Sequence, residues 1–237
     1  MVGIDVSVHN GAIDWRRVRD GGVEFAIIRA GYGRVTSQKD ERFEENYTGA
    51  KAQSIPVGAY WYSYATTEED ARREAEAFLE VIKGKKFEYP VYYDVEEKRQ
   101  FDLGKEQVSK IIRAFLEVVE AAGYWVGIYS SSSALKTYIS EDIRERYAVW
   151  VAHWGVNKPS YSGQYGIWQN SDKGRVEGIA GNVDTDICTI NYPELVMKAS
   201  KNGYSSEPIT DIPTKQDTID VKINVNGKTY SGTLSAE

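Results

Sequence analysis

Cysteine is almost absent from this chain: Cys188 stands alone, so no disulfide can form within it. Histidine is nearly as scarce, and His9, His153 and one thiol make a poor set for a zinc site of the usual ligand types. No metal and no cofactor is therefore expected. No apolar run approaches the roughly 18 residues that a membrane span needs. No Lys/Arg block interrupts a charge balance that sums to −6. These absences set aside nucleic acid and membrane as partners. The chain also lacks a leader-like opening, because MVGIDVS enters an apolar strand pattern almost at once. No signal peptide is expected, which fits either a protein made without export or a sequence that starts at a mature domain.

What is present is ample apolar material. Of 237 residues, 41% are hydrophobic, enough for one sizeable core. The 17 Tyr and 6 Trp combine flat apolar faces with a polar tip, which suits a sugar-binding pocket as well as a core.

Near-continuous apolar runs recur along the chain: VGIDVSV (2–8), FAIIRAGYG (25–33), IPVGAYWYSYA (55–65), EYPVYYDVE (88–96), YWVGIYS (124–130), YAVWVAHW (147–154) and YGIWQN (165–170). Such runs are expected of strands covered on both faces. Helical periodicity lies between the early ones. Phe43, Tyr47 and Ala50 share a face in 40–53, and Ala71, Ala75, Phe78, Leu79 and Ile82 do so in 66–84, where Thr66 and Glu69 stand in capping-box register. A third helix is predicted over 104–123, ending at Gly123. Strand starts at 2, 25, 55, 88 and 124 leave room for helices, whereas those near 147 and 165 leave little. The expected fold is α/β: an irregular (β/α) barrel, TIM-barrel-like, whose last third has lost its helices. An open doubly wound sheet is the alternative, but no glycine-rich phosphate fingerprint follows the first strand.

The character changes after Met197. Residues 1–197 are expected to form the barrel and 198–217 a polar linker. Residues 218–237 are expected to form a β-hairpin, with alternating Ile219, Val221, Ile223 and Val225 leading to an Asn226-Gly227 turn. A lone hairpin is marginally stable. The tail is therefore expected to pair with its own barrel, with a second copy as a homo-oligomer, or with the rest of a truncated module.

The chemistry-bearing stretch is YYDVEE (92–97). Residues two apart on a strand point the same way, so Asp94 and Glu96 project together from the end of the fourth strand, while Glu97 points away. In a barrel of this type that end carries the chemistry. Asp5 occupies the matching place on the first strand, and Asp184 lies where the last strand begins or ends. Clustered acids repel one another and resist burial in the charged form, which splits their proton affinities. One can then serve as an acid while another stays ionised, the division of labour that glycosidic cleavage requires. A solvated strand end and a hard-cation site remain open alternatives on these residues alone.

Taken together, GIDVSVHNGAIDW (3–15), FAIIRAGYG (25–33), VGAYWYSYA (57–65), YYDVE (92–96), GIYSS (127–131), WVAHWG (150–155), IWQNS (167–171) and GNVDTD (181–186) resemble glycoside hydrolase family 25, the Chalaropsis-type lysozymes that include many phage endolysins. The resemblance covers about residues 1–195. It implies a flattened α/β-barrel and hydrolysis of the β-1,4 bond between N-acetylmuramic acid and N-acetylglucosamine, with bacterial peptidoglycan as partner and the cell wall as place of action. By the same resemblance Glu96 is the general acid, and Asp94 the nucleophile or the group that orients the substrate acetamido. Asp5 and Asp184 are further acids of the groove. Tyr60, Tyr62, Tyr129, Trp154, Trp168 and Gln169 are substrate-binding candidates, with barrel core as the competing reading, and Arg29 is another, with a buried partner for one of the acids as its competing reading. The chain departs from many members at Asn170, where they carry Tyr, and at Trp61, where they carry His. A chitinase-like N-acetylglucosaminidase and a wall-binding pseudoenzyme are the competing functions.

Overall fold

The computed structural model of the chain describes residues 1–205, 218–225 and 228–235. Eight strands close into a barrel in chain order: β1 (Val2–Val6), β2 (Phe25–Tyr32), β3 (Val57–Tyr62), β4 (Val91–Asp94), β5 (Val126–Ser131), β6 (Ala148–Ala152), β7 (Ile167–Gly174) and β8 (Val183–Cys188). Strands β1 to β7 pair in parallel, whereas β8 runs antiparallel to both β7 and β1. A regular (β/α) barrel is parallel throughout. Chain length explains the exception: residues 175–182 are too few for a crossover, which takes a dozen or more, so β7 turns straight back into β8.

The helices are α1 (Trp15–Asp20), α2 (Phe43–Ala52), α3 (Glu68–Ile82), α4 (Lys98–Phe101), α5 (Lys105–Ala121), α6 (Ser132–Tyr138), α7 (Glu141–Arg146) and α8 (Tyr192–Lys198). No helix separates β6, β7 and β8, in line with the shrinking strand intervals. The cap of α3 is Thr67 and not Thr66: Thr67 is extended, and its Oγ1 accepts from the Asp70 N–H at 3.1 Å.

Strands β2 to β6 bury both faces over most of their length, which is why their sequences read as continuous apolar runs, whereas β7 and β8 are half-buried and more polar. Outward residues such as Ile4, Ile28, Trp61 and Tyr93 pack under the helices. There Tyr93 stacks on Phe115 of α5 at 3.8 Å, and Phe115 lies 5.8 Å from Phe78 of α3. Inward residues Phe25, Ile27, Tyr92, Trp150 and Ile167 fill the barrel. Two inward glycines make room for these rings. A Cβ on Gly3 would meet the Phe25 ring at 2.3 Å, and one on Gly127 the Tyr92 ring at 2.5 Å.

Of the stretch read as a linker, residues 198–205 are described, and they are docked. Asn202, fully buried with φ 57°, donates Nδ2–H to the Tyr89 carbonyl (2.8 Å) and accepts the Trp125 N–H on Oδ1 (2.6 Å). Its backbone bonds Phe87 and Gly123. The Tyr204 hydroxyl bonds Glu88. Residues 206–217 and the Asn226-Gly227 turn lie outside the described residues. A separate unit holds β9 (Thr218–Val225) and β10 (Lys228–Ser235), antiparallel, with Val225 opposite Lys228. Among the described residues no helix is long and apolar enough to cross a membrane.

Candidate active site

Asp5 lies near the C-terminal end of β1, Asp94 is the last residue of β4, and Glu96 follows two residues later. Asp184 stands directly opposite Asp5 in the antiparallel β1–β8 ladder. All four acids line one cleft of about 390 Å³ at the barrel mouth. Tyr60, Tyr62, Tyr129, Gln169 and Arg29 line the same cleft. A larger depression of about 570 Å³ lies between α1 and the β7–β8 turn. Its charges are Asp14, Arg17 and Glu177, and Arg17 and Glu177 are ion-paired with each other, so it offers no comparable chemistry.

Asp94 is 4% exposed, and its Oδ1 has no hydrogen-bond partner. Burial raises its proton affinity well above the usual carboxylate range, and repulsion from Glu96 and Glu97 adds to this while Arg29 opposes it. Glu96 opens to solvent in the mouth, yet neighbouring atoms crowd it enough that desolvation still leads an upward shift. The nearby Tyr129 hydroxyl counters this shift, and Asp184 and Glu97 reinforce it. The single Tyr129 proton can serve one acceptor at a time, and in this geometry it goes to Gln169 Oε1 at 2.8 Å. Asp184 is pushed up to about 6, by burial first and then by Asp172.

Gln169 organises the floor. Its Oε1 accepts from Tyr129 Oη and from Trp154 Nε1 (2.9 Å), and its Nε2 donates to Asp5 Oδ2 at 2.7 Å. An indole nitrogen can only donate. Trp154 therefore fixes which end of the amide is oxygen, and so guarantees that Asp5 receives an N–H.

Arg29 is held from behind. Its Nε–H donates to Asp40 Oδ2 at 2.7 Å, and the Asp40 side chain is fully buried. Asp40 also accepts from the backbone N–H groups of Val8 (3.0 Å) and Arg42 (2.9 Å). Nothing in the local sequence around Asp40 singles it out. Apart from the neighbouring Arg42, its partners come from β2 and from the segment after β1, so only the folded chain shows its role.

Two candidates are not brought into the cleft. Trp168 neighbours the inward-facing Ile167 and Gln169 on β7, so strand alternation turns it outward, where Nε1–H donates to the His153 carbonyl at 2.9 Å. Trp154 is 47% exposed and lines a neighbouring hollow with Ser131, Ser132, Ser133 and Ser160, reaching the acids only through Gln169. Glu97, beyond the end of β4, is not idle: its Oε1 accepts the hydroxyl of the cleft residue Tyr62 at 2.9 Å, and its charge bears on both Asp94 and Glu96. Trp61 and Asn170, the two departures from the family pattern, also lie off the cleft. Trp61 is buried with Nε1–H on the Gly33 carbonyl, and Asn170 accepts from Thr185.

Asp186 was not anticipated. It is fully buried beside Asp5 and receives the Trp150 indole N–H on Oδ1 at 2.7 Å. Its identical spacing from Asp184 in GNVDTD was a usable signal, since residues two apart on β8 face the same side. Among the described residues no group of three or more acids, histidines or cysteines is spaced to hold a metal ion.

The family model for glycosyl hydrolases family 25 matches residues 4–179. The autolytic lysozyme of Clostridium acetobutylicum is 31% identical over 188 residues, which is 78% of this chain and 55% of that protein. The chain thus spans about half the length of that relative. Among solved structures, the bacterial lysozyme from Streptomyces coelicolor superposes with a TM-score of 0.72 at 29% identity, covering 86% of this chain and 97% of that one. The modular autolysin LytC from Streptococcus pneumoniae, in complex with a synthetic peptidoglycan ligand, superposes at 0.69 and 32% identity, over 78% of this chain and 46% of that one.

Proposed function

The chain belongs to glycosyl hydrolases family 25, and from that premise we propose that it is a muramidase. Its substrate is bacterial peptidoglycan, and the bond cut is the β-1,4 link between N-acetylmuramic acid and N-acetylglucosamine. Glu96 is the general acid that protonates the leaving glycosidic oxygen. Asp94 acts on the same sugar from below, either attacking the anomeric carbon or orienting the acetamido group that does so.

The observation that carries this reading is the difference in depth between the two acids. Glu96 is open to the cleft, where a glycosidic oxygen can reach it, while Asp94 is sunk beneath with a free Oδ1. Both hold protons more tightly than free carboxylates, so one acid remains available at weakly acidic pH. Tyr60, Tyr62 and Tyr129 line the cleft around the sugar, and Arg29 favours charge on Asp94. The hollow at Trp154, lined by four serines, suits a continuing glycan chain.

The test is the turbidity of a bacterial wall suspension. Wild-type protein is expected to clear it, and Glu96→Gln to lose about two to four orders of magnitude in rate. Equal rates sink the assignment of the acid. Cleavage of chitin oligomers without wall clearance points to an N-acetylglucosaminidase, and wall binding without any cleavage to a binding module.

A further inference from the structure

Asp186 sits at the centre of three strands. In the ladders it lies opposite Gln169 of β7 on one side and Gly3 of β1 on the other. Gly3 has no side chain, so the next β1 group on that face is Asp5, and the Asp5 and Asp186 carboxyls are within hydrogen-bonding reach. Asp186 is 0% exposed, with Oδ1 taken by Trp150 Nε1–H and Oδ2 left without any donor. Two buried carboxylates in contact cannot both be ionised without a compensating cation. None faces them. Asp184 on the same strand is acidic, β6 and β7 present the neutral Trp150 and Gln169, and Arg29 is paired with Asp40 and bears on Asp94.

Resting on the hydrolase reading above, we propose that Asp5 and Asp186 share one proton at neutral pH, and that Asp186 is a positioning residue which holds the Asp5 carboxyl in place beneath the catalytic pair. The proton turns one of two clashing acceptors into a donor and satisfies the orphan Asp186 Oδ2. Asp5 is then gripped from two sides, by Gln169 Nε2–H at 2.7 Å and by Asp186. One negative charge is removed from the floor of the cleft, where Asp5 otherwise adds to the field at Tyr60 and Tyr129. Burial raises the proton affinity of both groups, that of Asp186 to about 8, in the direction the contact requires.

An asparagine at 186 can accept from Trp150 through Oδ1 and donate to Asp5 through Nδ2, with the charge of the pair unchanged. The experiment therefore compares Asp186→Asn with Asp186→Leu. Asp186→Leu is expected to lower kcat/KM on walls at pH 6 at least about tenfold, as for loss of one charge-assisted hydrogen bond. Asp186→Asn is expected to restore it to within about threefold of wild type, since it keeps both hydrogen bonds. The infrared difference spectrum, wild type minus Asp186→Asn at pH 7, is expected to show the carbonyl stretch of a neutral carboxylic acid, lost on raising the pH past 8. Absence of that band overturns the shared proton. A band with Asp186→Asn as impaired as Asp186→Leu overturns the positioning role. If wild-type protein clears no wall, the hydrolase reading fails, while the infrared band still decides the proton. Higher thermal stability of Asp186→Asn than of Asp186→Leu then decides whether the hydrogen bonds are held.

Discussion

Gln169 Nε2 donates to Asp5 Oδ2 at 2.7 Å, bridging β7 and β1 across the intervening β8. The bond depends on Trp154, because the indole N–H claims Gln169 Oε1 and leaves only the amide nitrogen for Asp5. Gln169→Glu would set a carboxylate against Asp5. We expect kcat/KM on cell walls to fall at least about a hundredfold, the scale of a broken charge-assisted bond plus repulsion. Trp154→Phe keeps the ring but loses the donor, and a loss of about tenfold is expected from a released amide. Trp154→Phe with unchanged kinetics would remove Trp154 from this chain of contacts.

Arg29 counters the upward shift of Asp94. Removing it as Arg29→Met lets Asp94 hold its proton to higher pH. If Asp94 acts in its ionised form, as proposed, the acidic limb of the kcat/KM profile should therefore move to higher pH. An acidic limb that stays in place shows that Arg29 does not act on Asp94. Asp40→Asn should give the same direction of change by loosening Arg29, together with a lower melting temperature, because Asp40 also carries the Val8 and Arg42 N–H groups.

The acid cluster makes stability depend on pH, with a sign opposite to that of ordinary surface carboxylates. Asp5, Asp94, Glu96, Asp184 and Asp186 all bind protons more tightly folded than unfolded. Free carboxyls ionise near pH 4, while Asp184 titrates at about 6 and Asp186 at about 8 in the fold. Over that window the folded state holds more protons, so stability falls as pH rises. Calorimetry should find a higher Tm at pH 5 than at pH 8. Asp184→Asn should narrow the gap while costing activity, the usual exchange at a strained site. A Tm rising from pH 5 to 8 contradicts the assignment.

Asn202 closes the base of the barrel. Replacing it by Ala leaves the Trp125 N–H and the Tyr89 carbonyl unpaired in the interior, at about 1–3 kcal/mol each. A clear drop in Tm is expected for Asn202→Ala. Truncation after Ser205 should preserve the barrel, since it leaves the unit Met1–Ser205 whole, whereas truncation after Met197 should destabilise it. Equal melting of the two truncations would show that the docked segment contributes nothing.

Much of the barrel is legible in the sequence because burial on both faces writes strands β2 to β6 as apolar runs. The early helices are legible because their apolar faces repeat at helical spacing. Asp94 and Glu96 can be paired by strand parity alone. The direction of β8 is harder to read: apolar patterning is the same for either polarity, and only the short 175–182 connection excludes a crossover. Trp168 shows the opposite failure. Parity with Gln169 already turned it outward, yet its aromatic character suggested a sugar platform. Residues 198–205 read as linker because they are polar, but the polarity of Asn202 is spent on buried backbone groups of β4's approach and β5's start.

By itself, then, the sequence determined seven of the barrel strands, the three longest helices, the barrel class and two carboxylates at one strand end, since these follow from local periodicity. The tertiary structure alone decided the rest. It set Asp184 opposite Asp5, put Asp186 against Asp5, joined Gln169 to Trp154 and Tyr129, and backed Arg29 with Asp40. Each of these pairs is made by strand register or loop packing between distant segments. Proton affinity depends on that company and on burial, and neither is written in any short stretch of chain.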